Sequence, residues 1–350
     1  MHRWRAAVLL SLVVALGALV ACRETGGGKV TDAGPAPTPS AVAVATHPDA
    51  AAATLDSGVS SIADASARAR AARPPAPGCR SPSGPSAYRG HLKRPEGERA
   101  FEVRLPAAPV DPMHPARVVF VIHPFGSSAL DFMNATHFPE IFGAAGWVVI
   151  SPEGVNKSFN AGDCCGEAAH SKIDDVGFLL AILDDVRERS CIDDDRVYLT
   201  GFSNGGFMSQ AFACAHADRV GAIASVGAVL GVRPCEPSEP VSVLLVNGVG
   251  DDVIPMDGGG PFRTRPLTET LGVWRDAGHC EARFGDAGVM RSPVGATCRV
   301  EPCAEGRTLE ACTVPYAHVW MVRSHPAGDP PSQRQTAREM LEFFDGYGVR

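Results

Sequence analysis

The chain has no Cys-x-x-Cys pair, and its histidines do not cluster around its cysteines. Both absences argue against a zinc site built on ligand spacing, so no metal is expected. It also lacks an excess of positive charge. Lys and Arg number 32 against 39 Asp and Glu, a formal net charge of −7, and nothing in that balance draws the chain to nucleic acid. A long membrane span is missing too. The apolar stretch at residues 6–21 falls short of the ~20 residues a spanning helix needs. There is no internal repeat. Hydrophobic residues nonetheless make up 45% of the 350 positions, enough for a sizeable core.

What stands at the N-terminus is Met1-His-Arg-Trp-Arg followed by that short apolar stretch, the pattern of a secretion signal. It ends in Leu19-Val20-Ala21-Cys22, which resembles a bacterial lipobox. In lipoproteins of that kind the cysteine becomes the mature N-terminus and carries the lipid. Residues 1–22 are therefore expected to be a lipoprotein signal peptide with Cys22 as the lipidation site. Residues 23–78 are rich in Ala, Pro, Thr, Ser, Gly and Asp, without an apolar period. They read as a disordered tether, with an end-to-end distance of roughly 40 Å. Residues 79–350 form the folded domain.

Setting Cys22 aside leaves ten cysteines in a chain with an export signal: Cys79, Cys164, Cys165, Cys191, Cys214, Cys235, Cys280, Cys298, Cys303 and Cys312. An oxidising compartment favours disulfides among them. Connectivity stays open, although the adjacent Cys164 and Cys165 are expected to join two different partners.

Within the domain, residues 118–122, 147–150, 197–200, 222–226 and 241–246 read as strands, several apolar on both faces. Residues 101–105 alternate as a strand would. Residues 175–189, 206–217, 267–277 and 334–344 read as helices. Alternating strand and helix predicts an α/β domain with a mostly parallel central sheet and helices on both faces.

The sharpest motif is Gly201-Phe202-Ser203-Asn204-Gly205, placed after a predicted strand and before a predicted helix. A nucleophilic serine needs that context. The strained turn lifts its hydroxyl above the sheet, and the two glycines let strand and helix pass closely. The helix N-terminus beneath it favours an oxyanion. Ser203 then needs a base, and the base an orienting acid, in the chain order Ser, acid, His. Asp251 and Asp252 both follow the predicted strand at 241–246. His279, His318 and His325 come later. His318 has the best position, after a short apolar segment and before the last helix.

At this point several motifs coincide in order: Phe159-Asn160, Cys164-Cys165-Gly166, Asp174-Asp175-Val-Gly-Phe178, Arg196-Val-Tyr198, Gly201-Phe-Ser-Asn-Gly-Gly206 and Ala317-His-Val-Trp320. Residues 98 to about 320 resemble the polyhydroxybutyrate depolymerase-like and feruloyl esterase group of carbohydrate esterase family 1, within the α/β-hydrolase superfamily. The resemblance implies a secreted serine esterase with a triad matching Ser203, Asp251 and His318, and no cofactor. Where the family has His-Gly after its first core strand, this chain has His123-Pro124. Proline has no N–H to donate, so the oxyanion hole is expected from the backbone of Asn204 and of Phe125 or a neighbour. Asn247 replaces the usual His before Gly248, and Trp320 is not followed by Pro-Gly.

Asp174 and Asp175 are expected to serve as N-cap and dipole partners of their helix. Phe159, Asn160 and Trp320 are expected either in the substrate pocket or in the core. The resulting expectation is an exported, lipid-anchored, monomeric esterase acting on a polymeric ester. Its substrates would be polysaccharide-linked feruloyl esters or hydroxyalkanoate polyesters. An acetylxylan esterase or a serine peptidase of the same fold, and a non-catalytic glycan-binding lipoprotein, are the alternatives.

Overall fold

A computed structural model describes residues 86–347, apart from 107, 109, 112–113, 283–288, 292–295 and 321–329. The chain divides into units 1–67 and 68–350, and every described residue belongs to the second. Cys22, Cys79, the tether and His325 lie outside the described residues.

The core strands are β3 (Ala116–Ile122), β4 (Val148–Pro152), β5 (Ile192–Phe202), β6 (Val220–Val226) and β7 (Ser242–Gly248). β6 and β7 are buried at every position, which is why they read as unbroken apolar runs. Successive residues feed opposite faces. Val118, Phe120 and Ile122 enter one apolar cluster, while Val119 and Val121 enter the other.

The first cluster is closed by α4 (Asp175–Arg189), α5 (Asn204–Ala215) and α6 (Leu267–Gly278). The second is closed by α1 (Ala129–Ala135), α2 (Phe138–Ala144) and α7 (Pro330–Tyr347). A short α3 (Gly166–His170) precedes α4. The α4 start follows from its cap: the Asp174 carboxylate accepts the Gly177 N–H at 2.9 Å. Asp175 does something else. It is buried, and it takes Arg99 at 2.6 Å.

Among the described residues the sheet has ten strands, parallel through its centre as expected and mixed at its edges. Its order is β1-β2-β4-β3-β5-β6-β7-β10-β9-β8. From β4 to β10 every neighbour is parallel. Both edges are antiparallel: β1 (Ala87–Arg94) with β2 (Gly97–Arg104), and β8 (Val289–Arg291), β9 (Thr297–Pro302) and β10 (Thr308–Val314). The physical reason is connection length. Only two residues separate β1 from β2, too few for a crossover.

Four disulfides join described cysteines: Cys164–Cys165, Cys214–Cys235, Cys280–Cys303 and Cys298–Cys312. Cys191 is disulfide-bonded as well. The expectation of two partners for Cys164 and Cys165 is corrected, since they bond each other. The other described cysteines are already taken.

Candidate active site

The parallel strands all point their carboxyl ends to one side, where open α/β sheets bind ligands. His123 follows β3, Ser203 follows β5, Gly227 follows β6, Asp251 follows β7 and His318 follows β10.

Ser203 joins β5 directly to α5 with φ 53° and ψ −121°. A side-chain-bearing residue in the positive-φ region is strained, and such strain collects at functional turns. The turn is held by the Ser203 N–H, which donates to Val226 O at 2.8 Å. It is also crowded. A Cβ on Gly205 would run into the Ile122 carbonyl, and one on Gly201 into the Gly205 backbone. These are the two glycines of the motif, and space explains both.

His318 and Asp251 meet. Asp251 Oδ2 lies 2.7 Å from His318 Nδ1, and the Asp251 side chain is fully buried. The other carboxylate oxygen accepts the N–H groups of Val253 at 3.0 Å and Ile254 at 2.8 Å. Two backbone N–H groups and the imidazole thus hold this carboxylate in place. Asp252 is exposed and takes no part in this contact. His279 is the exposed left-handed C-cap of α6. The imidazole of His318 packs on the Phe202 ring at 4.7 Å between centroids. A side chain on Gly227 would meet both rings. Because Phe202 precedes Ser203, the imidazole sits beside the Ser203 turn.

The sequence-derived oxyanion donors behave as follows. Asn204 is the first residue of α5, so its N–H is among those an α-helix leaves unpaired. The N–H of Phe125 makes no hydrogen bond among the described residues, and its ring is half exposed. The Asn204 side chain has a separate task that the sequence did not signal: it pairs with the Phe159 backbone.

The three expected substrate residues lie mostly inward. Phe159 is fully buried, its ring 4.7 Å from that of His123. Trp320 is 8% exposed and packs edge-on against Phe132 at 5.1 Å. Asn160 donates its side-chain amide to Ile173 O at 2.9 Å and its N–H to Asp175 at 2.6 Å. Burial and hydrogen bonding thus give all three a part in the architecture around the site. Asn247, standing where the family has His, donates to Ala228 O at 3.1 Å and ties β7 to the loop after β6.

The sequence marks His123 as the end of a strand and as the first residue of the His-Pro pair that replaces His-Gly, with no role of its own. It is fully buried, and burial pushes its pKa down to about 4.

Residues 118–255 match the alpha/beta hydrolase fold family. The chain is 29% identical over 167 residues to feruloyl esterase C of Emericella nidulans, covering 46% of this chain and 58% of that protein. It is 29% identical over 275 residues to the putative esterase NocK of Nocardia uniformis, covering 71% of this chain and 80% of that one. With feruloyl esterase D of Neurospora crassa the identity is 27% over 269 residues, covering 71% and 82%. The match thus spans little more than half of the first relative and about four-fifths of the other two. The chain has the α/β-hydrolase fold, and its sequence is similar to proteins named feruloyl esterases and to a putative esterase.

Proposed function

We propose that the protein is a serine carboxylic-ester hydrolase acting through Ser203, His318 and Asp251. The observation that carries this reading is the Asp251–His318 contact at 2.7 Å beside a serine held at positive φ. With Asp251 accepting the proton on Nδ1, the other ring nitrogen, Nε2, is left as the base. Ser203 Oγ attacks the ester carbonyl as His318 takes its proton. The C–O bond of the ester breaks, and His318 returns the proton to the departing alkoxide. Asp251 stabilises the transient imidazolium. The N–H groups of Asn204 and Phe125 receive the oxyanion. Water, deprotonated by the same His318, then frees the acid and regenerates Ser203.

The substrate class is polysaccharide-linked hydroxycinnamoyl esters. Relatives named feruloyl esterases support that choice over hydroxyalkanoate polyesters. The half-exposed Phe125 ring beside its own N–H offers an aromatic acyl group a surface. The disulfides fit an exported enzyme, with Cys22 as its lipid anchor.

Purified full-length Ser203→Ala should stay folded and lose turnover of methyl ferulate and p-nitrophenyl acetate by several orders of magnitude. Near-normal activity in that variant would end the proposal. For the anchor, Cys22→Ser should move the enzyme out of the membrane fraction. Identical partitioning of the two forms would remove the lipid from the picture.

A further inference from the structure

Pro124 O and Phe125 N–H belong to one planar peptide group, and they point in opposite directions. Whatever fixes the carbonyl therefore aims the N–H. The Pro124 carbonyl lies 2.8 Å from His123 Nδ1 and also accepts the Ser127 N–H at 3.2 Å. The tautomer follows from the other side of the ring. His123 Nε2 lies 3.1 Å from the Gly154 N–H, which can only donate. Nε2 must accept, so in the neutral ring the proton sits on Nδ1 and is given to Pro124 O. Complete burial keeps the ring neutral at ordinary pH.

The ring itself has little freedom. Phe159 packs against it at 4.7 Å. Gly154 follows β4, so the imidazole bridges the ends of two neighbouring strands.

We infer that His123 is a positioning residue for the esterase reaction: its Nδ1–H holds the Pro124 carbonyl so that the Phe125 N–H of the same peptide faces the oxyanion. The inference rests on the ester-hydrolase reading above. It also accounts for a proline directly after this histidine. Pro124 cannot donate to the substrate, but its fixed φ stiffens the turn that presents the next N–H.

Two substitutions separate the two ring nitrogens. In His123→Asn the side-chain amide falls near the Nδ1 position and can still donate to Pro124 O. In His123→Gln the terminal group reaches the Nε2 position, meeting Gly154 but leaving Pro124 O unheld. The full-length His123→Gln protein should lose roughly 10–100-fold in kcat on p-nitrophenyl acetate, less than the outright loss of a donor. KM should stay within about twofold, since the contact matters in the transition state. Its affinity for a boronic acid, which forms a tetrahedral adduct with serine, should fall by a similar factor. His123→Asn should keep kcat within about threefold. Equal kcat in the two folded variants overturns the inference.

A measurement on the wild type needs no variant to fold. Nitrogen-15 NMR of the imidazole should find the proton on Nδ1, and an Nε2–H tautomer overturns the inference. Ser203→Ala, run in the same assay, keeps the two claims apart. If it is inactive while the His123 variants match each other, the hydrolase reading stands and only the positioning role is lost. If it is active, both fall.

Discussion

Asn204 Oδ1 accepts the Phe159 N–H at 2.7 Å, and Asn204 Nδ2 donates to the Phe159 carbonyl at 2.9 Å. One side chain thus satisfies both polar groups of a fully buried residue, from the helix that follows the nucleophile. The motif position proposed to supply a backbone donor also fastens the neighbouring loop. Asn204→Ala keeps its own N–H but leaves Phe159 with an unpaired donor and acceptor. It should cost about 1–3 kcal/mol in urea unfolding, with a smaller loss of kcat than Ser203→Ala. Unchanged stability would mean that water replaces the pairing.

The acid of the proposed triad can be separated from its neighbour. Asp251 touches His318, and Asp252 is exposed. Asp251→Asn should lower kcat by roughly 10³–10⁴-fold through the wrong histidine tautomer. Asp252→Asn should change it by less than about twofold, as a surface substitution away from the reacting groups. Steady-state kinetics on p-nitrophenyl acetate decides, and a costlier Asp252→Asn would reassign the acid.

His123 also makes stability depend on pH. Its pKa is lowered from 6.5 to about 4 in the native protein, chiefly by burial, with Lys157 and Arg99 acting in the same direction. Glu153 also faces Nε2, at 3.8 Å. Between those two values the unfolded chain binds a proton that the native ring refuses. The contribution is therefore complete above pH 6.5 and is lost as pH falls through 4, about 3 kcal/mol in all. Wild type should lose that much more than His123→Asn between pH 7 and 4 in urea titrations. Parallel curves for the two proteins would show that the imidazole titrates freely.

The parallel centre of the sheet was legible because burial on both faces leaves an unbroken apolar run, as in β6 and β7. The α4 bounds were legible for a related reason, since Asp174 caps the helix and Phe178, Leu179, Ile182, Leu183 and Val186 repeat along its buried side. The edges were not. β10 reads Thr-Leu-Glu-Ala-Cys-Thr-Val, with polar residues that become buried only when β7 and β9 flank it. At the site, the Gly-x-Ser-x-Gly motif announced Ser203 because its geometry is local. The Asn204–Phe159 and His123–Gly154 bonds depend on where separate strands end, and no spacing in the chain encodes that.

The strand that delivers His318 is laced to its outer neighbour by Cys298–Cys312, and Cys280–Cys303 ties the end of α6 to the same edge. The elements around Ser203 are cross-linked as well: Cys191, directly before β5, is disulfide-bonded, and Cys214 in α5 is joined to Cys235. Both halves of the proposed reacting pair thus stand on cross-linked elements. A thiol reductant would loosen the histidine's strand and the serine's helix together, and activity would fade as they slacken. Under the proposed function, oxidising surroundings would then be a condition for activity.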